Sequence, residues 1–244
     1  MLDFTSEGII KQLSIDCVVF GYEQATLKIL LPKLLSKGEF WVLPSGFIGQ
    51  HEGVDEAAKR ILKERTGIDE IYLDQCRVYG GAERNNKSFI EQFLNLSHET
   101  GNFFDKDRLK PFEDRFISVS YYALVNIQKT KPVKSNIDES IEWYDVKNLP
   151  HLILDHNQMV LDALEALRNN LDRKLIGFNL LPDEFTMKEL QELYEAVYDR
   201  PFPNNNFQKR ILALNVLERL GKKFSGEKNK APYLYRFRNS GSLA

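Results

Sequence analysis

Cysteine and long apolar runs are both scarce in this chain of 244 residues. Its two cysteines, Cys17 and Cys76, each lie in a segment with strand-like patterning. They are most simply small buried hydrophobes in a reducing compartment, not a disulfide or a metal pair. No apolar run approaches the roughly 18 residues that span a membrane, and the opening MLDFTSEGII lacks a basic start and an apolar signal core. We therefore expect a cytoplasmic protein with no membrane segment.

The charges are ordinary in number but uneven in distribution. Apolar residues make up 43% of the chain and charged residues 28%, as in a soluble globular protein of one large or two small domains. Residues 171–244 contain 13 Lys/Arg and 9 Asp/Glu, although the whole chain has a net charge of −2. Within residues 200–238 the count is 10 basic to 2 acidic. This basic segment suggests a polyanionic partner, but a solvated basic face would have the same composition.

Residues 46–68, GFIGQHEGVDEAAKRILKERTGI, contain the most informative motif. Two glycines turn the chain, and from about Val54 apolar residues recur at three- and four-residue steps, which predicts a helix. The spacing resembles the Nudix box, G-x5-E-x7-R-E-U-x-E-E-x-G-U, where U is aliphatic. Seven of the nine fixed positions are present, and the two missing ones are both carboxylates. The matching residues are Gly46, Glu52, Arg60, Leu62, Glu64, Gly67 and Ile68.

The missing carboxylates bear on the chemistry that the resemblance implies. Nudix enzymes cleave a diphosphate with Mg²⁺, and glutamates at i, i+3 and i+4 of the box helix share one face that can hold the metal. Here those positions are Ile61, Glu64 and Arg65, so we expect a fixed cation about where Mg²⁺ would sit and hydrolysis that is lost or feeble. We predict no catalytic or metal-binding residue, and a role for Mg²⁺ only if residual hydrolysis persists. In the alternative, an ordinary amphipathic helix, Ile61 lies in the core and Arg60 pairs with Glu64.

The pattern along residues 1–171 predicts a mixed α/β domain. Strands are expected at residues 14–22 and 25–32, joined by a turn over GYEQ, and at 41–43, 71–79, 115–127 and 141–146, with a closing helix at 154–170. These elements fit the α/β/α sandwich with a mixed sheet that the Nudix resemblance implies. Residues 82–114 form a long polar insert with a predicted helix at 87–96. Two interpretations stay open for it, a mobile surface insert and a lid over the box.

The segment 172–244 predicts a second, smaller domain. After a strand-like stretch at 175–181, Thr186 and Glu189 form a capping box, with Phe185 and Leu190 as its hydrophobic staple. A second helix is expected at 207–220, with N-cap candidates at 204–206 and Gly221 as its end, followed by two short strands. Helix, turn, helix and basic hairpin is the order of a winged helix-turn-helix. A small helical dimerisation domain is the alternative.

In a winged helix-turn-helix, the second helix enters the DNA major groove and the hairpin contacts the backbone. We therefore expect one group of residues to face the groove or its rim: Asn205, Asn206, Gln208, Lys209 and Arg210. A second group, on the wing, is expected to face phosphates: Lys222, Lys223, Lys228, Lys230 and Arg236.

A family resemblance covers nearly the whole chain. Residues 177–212, the closing APYLYRF, SIDCVVFGY, the box, RFISVSYYALVNI and LPHLILDH resemble Nudix-related transcriptional regulators, above all sugar-responsive members such as arabinose regulators. The resemblance implies a degenerate Nudix domain that senses a small effector and a winged-helix domain that binds a double-stranded DNA operator as a homodimer. The expected effector is a sugar such as a pentose, or a nucleotide sugar, held by Gly46, Glu52, Arg60, Glu64 and Arg115. The alternative is a Nudix hydrolase of nucleoside diphosphate derivatives with a C-terminal dimerisation domain.

Overall fold

The first two thirds of the chain form a mixed sheet between helices. The computed structural model describes residues 8–69, 71–82, 84–85, 87–98, 113, 115–171, 173, 176–223 and 231–238. Within these ranges six strands form one sheet in the order β4-β5-β1-β2-β6, and β3 pairs with the first part of β1. The strands are β1 Ile9–Glu23, β2 Thr26–Leu34, β3 Ser45–Gly49, β4 Tyr72–Tyr79, β5 Ile117–Val125 and β6 Asp138–Asp145. The pair β1–β5 is parallel and the other pairs are antiparallel.

Helices cover both faces of this sheet. Alternate residues of β1 point to opposite sides, so that Ile15 and Cys17 join the core beneath one helix while Val18 and Phe20 join the core beneath another. The first of these helices is α1, Val54–Thr66, and the second is α3, His156–Leu171. A further helix, α2, spans Lys87–His98 within the long insert, as predicted. The α/β/α sandwich with a mixed sheet is therefore confirmed.

The hairpin between β1 and β2 differs from the predicted turn over GYEQ. The turn residues are Gln24 and Ala25, with φ of 51° and 58°, and Glu23 pairs with Thr26 on either side of them. Both central residues of a type I′ turn need positive φ, which matches this two-residue loop. Gly21 lies inside the strand, where an added side chain would collide with Ile127 and Trp143.

Two short predicted strands in the chain are wrong. Around 41–43 only Trp41 forms isolated bridges, one with Lys33 and one with Leu152. The Val42 N–H donates to the Pro32 carbonyl and the Leu43 N–H to a histidine ring nitrogen. The strand that enters the box is β3 instead. Over 175–181 the described residues form a 3-10 turn, Ile176–Asn179, and Leu180, which follows it, is buried in the core.

The C-terminal unit has two helices and a three-stranded sheet in the described residues. The helices are α4, Met187–Tyr198, and α5, Asn204–Ala213, and the strands are β7 Phe185–Thr186, β8 Leu217–Lys222 and β9 Tyr233–Phe237. The predicted capping box is confirmed, because Thr186 Oγ1 accepts from the Glu189 N–H and Glu189 accepts from the Thr186 N–H. The sheet order is β7-β9-β8, which makes the hairpin a wing beside the two helices.

The second predicted helix was placed wrongly at both ends. It begins at Asn204, so that 204–206 form its first turn, and Pro203 stands at the N-cap. It ends at Ala213, because Asn215 takes a left-handed φ of 54° and Leu217 is buried in strand β8. Gly221 therefore lies in β8 and does not end a helix.

The C-terminal unit packs directly on the sheet domain. One hydrophobic core includes Val18 and Phe20 of β1 together with Leu193 and Val197 of α4. Where α3 meets α4, the Arg168 Nε donates to the Val197 carbonyl at 2.7 Å and the Tyr198 hydroxyl donates to the carbonyl of Arg168 at 2.9 Å. None of the described helices is both long enough and apolar enough to cross a bilayer.

Candidate functional site

Arg60 binds both glutamates that remain in the box. Its Nε and Nη2 donate to the two oxygens of Glu52 at 2.8 and 2.5 Å, and its Nη1 donates to Glu64 at 3.0 Å. The Nη2 also donates to the Phe47 carbonyl at 2.8 Å. Glu52 further accepts the Gly49 N–H at 2.6 Å, so the cluster ties the end of β3 to α1. The predicted Arg60–Glu64 pair is confirmed, and Glu52 belongs to the same network.

This network does not fit a Mg²⁺ site. Hydrogen bonds from Arg60 hold the pKa of Glu52 below its ordinary value of 4.5, so the carboxylate is ionised but already neutralised by the guanidinium. Ile61 is buried against Gly46, where an added side chain would come within 2.9 Å of it. Among the described residues no group of three or more His, Cys, Asp or Glu side chains could hold a metal ion. The donor set is therefore poor in free oxygen ligands.

The prediction that Arg65 places its charge about where Mg²⁺ would sit is wrong. Its guanidinium is buried and its Nη2 lies 2.7 Å from Asp138 Oδ1 on β6. Asp138 also accepts from the Ser135 hydroxyl at 2.5 Å. A long basic side chain on the inner face of a helix must find a buried carboxylate, because an unpaired charge there is costly. The residue that replaces a box carboxylate thus has a structural role between α1 and β6.

Beside the box lies a large pocket of about 960 Å³. One wall consists of aromatic and aliphatic side chains from α2 and its surroundings: Phe47, Phe89, Ile90, Phe93 and Phe116. Phe89 and Phe93 also contact the buried ring of Phe40, with ring centroids 5.6 and 5.7 Å away. The described part of the insert is therefore a wall of the pocket, which favours the lid interpretation over a detached surface insert.

The floor of the pocket is polar. Ser14 of β1 and Ser118 of β5 share a hydrogen bond of 2.6 Å, and Asp16 lies two residues further along β1. His156, the first residue of α3, places its Nε2 3.5 Å from Asp16 Oδ1 while its Nδ1 accepts the Leu43 N–H at 3.1 Å. Burial lowers the pKa of His156 below its ordinary value of 6.5, which favours the neutral ring.

Most residues of this floor are not among the predicted site residues. Asp16 was detectable as a lone carboxylate in the apolar run SIDCVVF. His156 was included only as the last residue of the family-like segment LPHLILDH, and Arg84 was not singled out. Arg84 lines the pocket and binds Asp155 through two hydrogen bonds of 2.8 and 3.0 Å. Of the predicted effector residues, four line the pocket: Gly46, Glu52, Arg60 and Glu64. Arg115 is not among its lining residues and instead donates to the Gly80 carbonyl at 2.6 Å.

The exposed side of α5 is the candidate nucleic-acid interface. Five of the side chains predicted to face DNA are exposed on this helix: Asn205, Asn206, Gln208, Lys209 and Arg210. The buried residues Phe207 and Ile211 fix the opposite side. The guanidinium of Arg210 lies 5.8 Å from the ring centroids of both Tyr194 and Phe202, so packing on α4 and the turn restrains its position.

The wing residues fall into three groups. Lys222 lies over the Tyr233 ring at 5.7 Å, and Arg219, which the sequence analysis placed in a helix, lies over the same ring at 4.3 Å. Two predicted phosphate contacts are engaged within the protein, because Lys223 pairs with Glu189 at 3.0 Å and Arg236 with Glu218 at 2.8 Å. The predicted contacts Lys228 and Lys230 lie outside the described residues.

A mixed α/β domain with a retained box, followed by a winged helix, defines a class of two-domain proteins. The family profile described as the NUDIX domain matches residues 10–164, and the chain belongs to the Nudix family. The profile described as the NrtR DNA-binding winged helix domain matches residues 177–237. The predicted architecture, a Nudix domain followed by a winged-helix DNA-binding domain, is thereby confirmed.

Relatives with both domains can be compared over almost the full length. The ADPR responsive transcriptional repressor NtrR of Acinetobacter baylyi is 26% identical over 231 residues, which cover 92% of this chain and 81% of that protein. The structure of Shewanella oneidensis NrtR complexed with a 27mer DNA has a TM-score of 0.69 and 23% identity, covering 93% of this chain and 94% of that one. A MutT/nudix family protein from Enterococcus faecalis has a TM-score of 0.69 at 17% identity, covering 96% and 89%. None of these names refers to a sugar-responsive regulator, so the expected closeness to arabinose regulators is not supported.

Proposed function

We propose that this protein is a transcriptional repressor whose operator binding is controlled by ADP-ribose or a closely related nucleotide sugar. The observation that carries the proposal is a large pocket beside a box without a metal site, in a domain fused to a winged helix. The same arrangement of domains occurs in a relative named as an ADPR responsive transcriptional repressor. The cytoplasmic location expected from the sparse cysteines agrees with this role.

The size and lining of the pocket support a nucleotide sugar over a free pentose. A volume of about 960 Å³ is at the upper end of the roughly 300–1,000 Å³ range of small-molecule sites, far more than one sugar ring fills. The aromatic wall offers flat apolar surface for a nucleobase, with Phe89 and Phe116 among its rings. The polar floor offers hydrogen-bonding groups for sugar hydroxyls. A ligand with a base at one end and a ribose at the other matches both surfaces.

The effector binds without being consumed in this proposal. Nudix hydrolysis needs carboxylates that hold Mg²⁺ against the diphosphate. Here Arg60 occupies both remaining glutamates, Ile61 is in the core and Arg65 is buried with Asp138. A sensor benefits from this arrangement because its ligand stays intact while it is bound.

On DNA, the protein acts as a homodimer on an inverted repeat. Each subunit contributes one α5 to the major groove, with half-site centres about one helical turn, roughly 10 bp, apart. The amide side chains Asn205 and Gln208 suit adenine edges, while Lys209, Arg219 and Lys222 suit phosphates.

Helix α3 links the two functions. Its first residue, His156, lies at the floor of the pocket, and its last turns bond to α4 through Arg168. A ligand that shifts the start of α3 therefore acts on the end of α4, from which a short turn leads to α5. The coupling energy depends on how differently the two states of this helix bind effector and DNA.

The test is a titration of DNA fragments from the promoter of the protein's own operon, followed by fluorescence anisotropy. We expect specific binding that changes by about 5- to 150-fold with saturating ADP-ribose and not with arabinose or ribose. A parallel assay with Mg²⁺ and ADP-ribose is expected to show no turnover. Specific DNA binding that responds to a pentose alone contradicts the assigned effector, and rapid hydrolysis without specific DNA binding supports the hydrolase alternative.

A further inference from the structure

We propose that Asp16 is the residue with which the pocket recognises a pair of vicinal hydroxyls on its effector. This inference rests on the proposed nucleotide-sugar effector and names the group of that ligand which determines specificity. Asp16 lines the pocket and is only 3% exposed, and its Oδ2 atom has no hydrogen-bond partner among the described residues. A buried carboxylate oxygen without a donor is destabilising, and a hydroxyl of a bound ligand can supply that donor.

No side chain in the described part of the chain donates to this Oδ2 atom. The other oxygen, Oδ1, faces His156 Nε2 at 3.5 Å. Because His156 Nδ1 accepts the Leu43 N–H, the neutral ring carries its proton on Nε2 and directs it towards Asp16. The strand neighbours Ile15 and Cys17 point into the opposite core.

Each of the three arginines among the described lining residues pairs with another carboxylate. Arg84 is held by both oxygens of Asp155, Arg60 by both oxygens of Glu52, and Arg65 pairs with Asp138. Asp16 is therefore positioned by the histidine but not neutralised by a cation of the pocket. Rotation about the last torsion of an aspartate is easy, so Asp16 can turn its unpartnered oxygen towards a bound ligand.

The neighbouring serines make a diol the best match. Ser14 and Ser118 bond to each other at 2.6 Å, and since only one of the two hydroxyl protons is used in that bond, the other is available to the pocket. Ser14 and Asp16 are residues i and i+2 of β1, so their side chains are neighbours on one face of the sheet, and Ser118 pairs with Ser14 from β5. An ionised carboxylate only accepts, while the serine pair both donates and accepts. Two adjacent hydroxyls of a ribose can satisfy both at once.

The experiment measures ADP-ribose affinity by calorimetry for the full-length wild type and for Asp16→Asn. The probes are ADP-ribose and two analogues, each lacking the 2′-hydroxyl of one of the two riboses. A hydrogen bond to a charged group corresponds to a loss of about 10- to 150-fold. We expect one analogue to bind the wild type more weakly by such a factor. We expect Asp16→Asn to weaken the binding of ADP-ribose to a similar extent. The variant should bind that analogue no more weakly than it binds ADP-ribose, as is found when the two altered groups interact with each other.

The matched control is Asp74→Asn, which makes the same change on another strand of the sheet. Asp74 accepts from the hydroxyls of Tyr72 and Tyr122 and does not line the pocket, so this variant should keep wild-type affinity. Equal binding of all three ligands by the wild type, or unchanged affinity in Asp16→Asn, overturns the role of Asp16 and leaves the proposed effector standing. Failure of the wild type to bind ADP-ribose overturns the proposed effector and this inference together. If Asp16→Asn does not fold, equal binding of the three ligands by the wild type still overturns the proposal.

Discussion

Arg65 of α1 and Asp138 of β6 form a buried ion pair, with side chains only 5% and 0% exposed and an Nη2–Oδ1 distance of 2.7 Å. Burial lowers the pKa of Arg65 and raises that of Asp138, while each partner opposes the shift of the other. In a hydrolase of this family the corresponding helix position holds a carboxylate. Here Arg65 joins α1 to β6 at the edge of the sheet.

This pair predicts a large difference between single and double substitutions. Arg65→Met should reduce the free energy of unfolding by about 3–5 kcal/mol, because Asp138 is left buried without its cation. Arg65→Met combined with Asp138→Leu should cost less than the single change, since no unpaired charge remains. Urea denaturation of the three proteins measures this. Equal losses in the single and double variants would show that packing, and not charge, is what Arg65 contributes.

The same pair shows why part of the site was beyond prediction from sequence. Asp138 lies 73 residues after Arg65, and no local pattern indicates which carboxylate meets a given arginine. The Thr186–Glu189 capping box, by contrast, is predictable because both partners lie within one helical turn. The Arg60–Glu64 contact belongs to the same local category.

The helix α5, which was predicted too far along the chain, illustrates a second limit of prediction from sequence. Residues from Leu214 to Leu220 have helix-compatible composition, but pairing of Leu217 with Phe237 draws them into a strand. Tertiary packing overrides a weak local preference in this way. The α/β/α architecture was predictable because its long strands and α1 each carry a clear apolar period, whereas the floor of the pocket depends on strands and a helix brought together by the fold.

Replacing Arg60 with lysine tests whether its forked geometry is needed. Lysine keeps the charge but cannot hold Glu52 through two parallel hydrogen bonds while also reaching Glu64. Because the cluster is half-exposed, we expect a loss of about 1 kcal/mol in unfolding free energy. Lys63→Arg, a charge-preserving change on the same helix with an exposed side chain, is the control and should have no measurable effect in thermal unfolding. Wild-type stability of Arg60→Lys would show that the paired hydrogen bonds of the guanidinium do not stabilise the fold.

His156 should make stability depend on pH. Burial lowers its pKa in the folded state, opposed by Asp16 and Asp155, so the unfolded chain takes up a proton first as the pH falls. The stability that the neutral His156 ring contributes is fully present above the unfolded pKa of about 6.5 and is lost as the pH falls below it. We expect His156→Asn, whose side-chain oxygen can still accept the Leu43 N–H, to be less stable at pH 8 but flatter between about pH 7.5 and 5. Parallel pH profiles for both proteins would rule out His156 as the titrating group.

Substitutions of Lys209 and Gln208 should change DNA binding in different ways. Lys209→Ala should weaken binding to specific and non-specific DNA alike and reduce the slope of log K against log salt by about 1. Gln208→Ala should instead cost about 1–3 kcal/mol on the preferred operator and little on other sequences. Lys59→Ala, an exposed lysine of α1 in the other domain, is the matched control. A uniform effect of Gln208→Ala across sequences would remove that residue from base recognition.

Tyr198 offers a way to separate communication between the domains from binding itself. Its hydroxyl donates to the Arg168 carbonyl at 2.9 Å, at the end of α3 that faces α4. Tyr198 is not among the residues that line the pocket and belongs to α4, not α5, so Tyr198→Phe should leave ADP-ribose affinity and effector-free DNA affinity within about twofold of the wild type. A single neutral hydrogen bond contributes about 0.5–1.5 kcal/mol, and hence the effect of ADP-ribose on DNA binding should fall by up to about tenfold.

Tyr79→Phe distinguishes this coupling from a general loosening of α3. The Tyr79 hydroxyl donates to Asp162 of the same helix at 2.6 Å, but from β4 and not from the winged-helix domain. Removing it perturbs α3 to a similar degree without touching the junction with α4, so the ADP-ribose effect on DNA binding should remain at the wild-type level. Anisotropy titrations of the three proteins with and without ADP-ribose provide both affinities and their coupling. If Tyr79→Phe reduces the coupling as much as Tyr198→Phe, the Arg168–Tyr198 contact carries no special part of the signal, and the stiffness of α3 as a whole is what joins effector to operator.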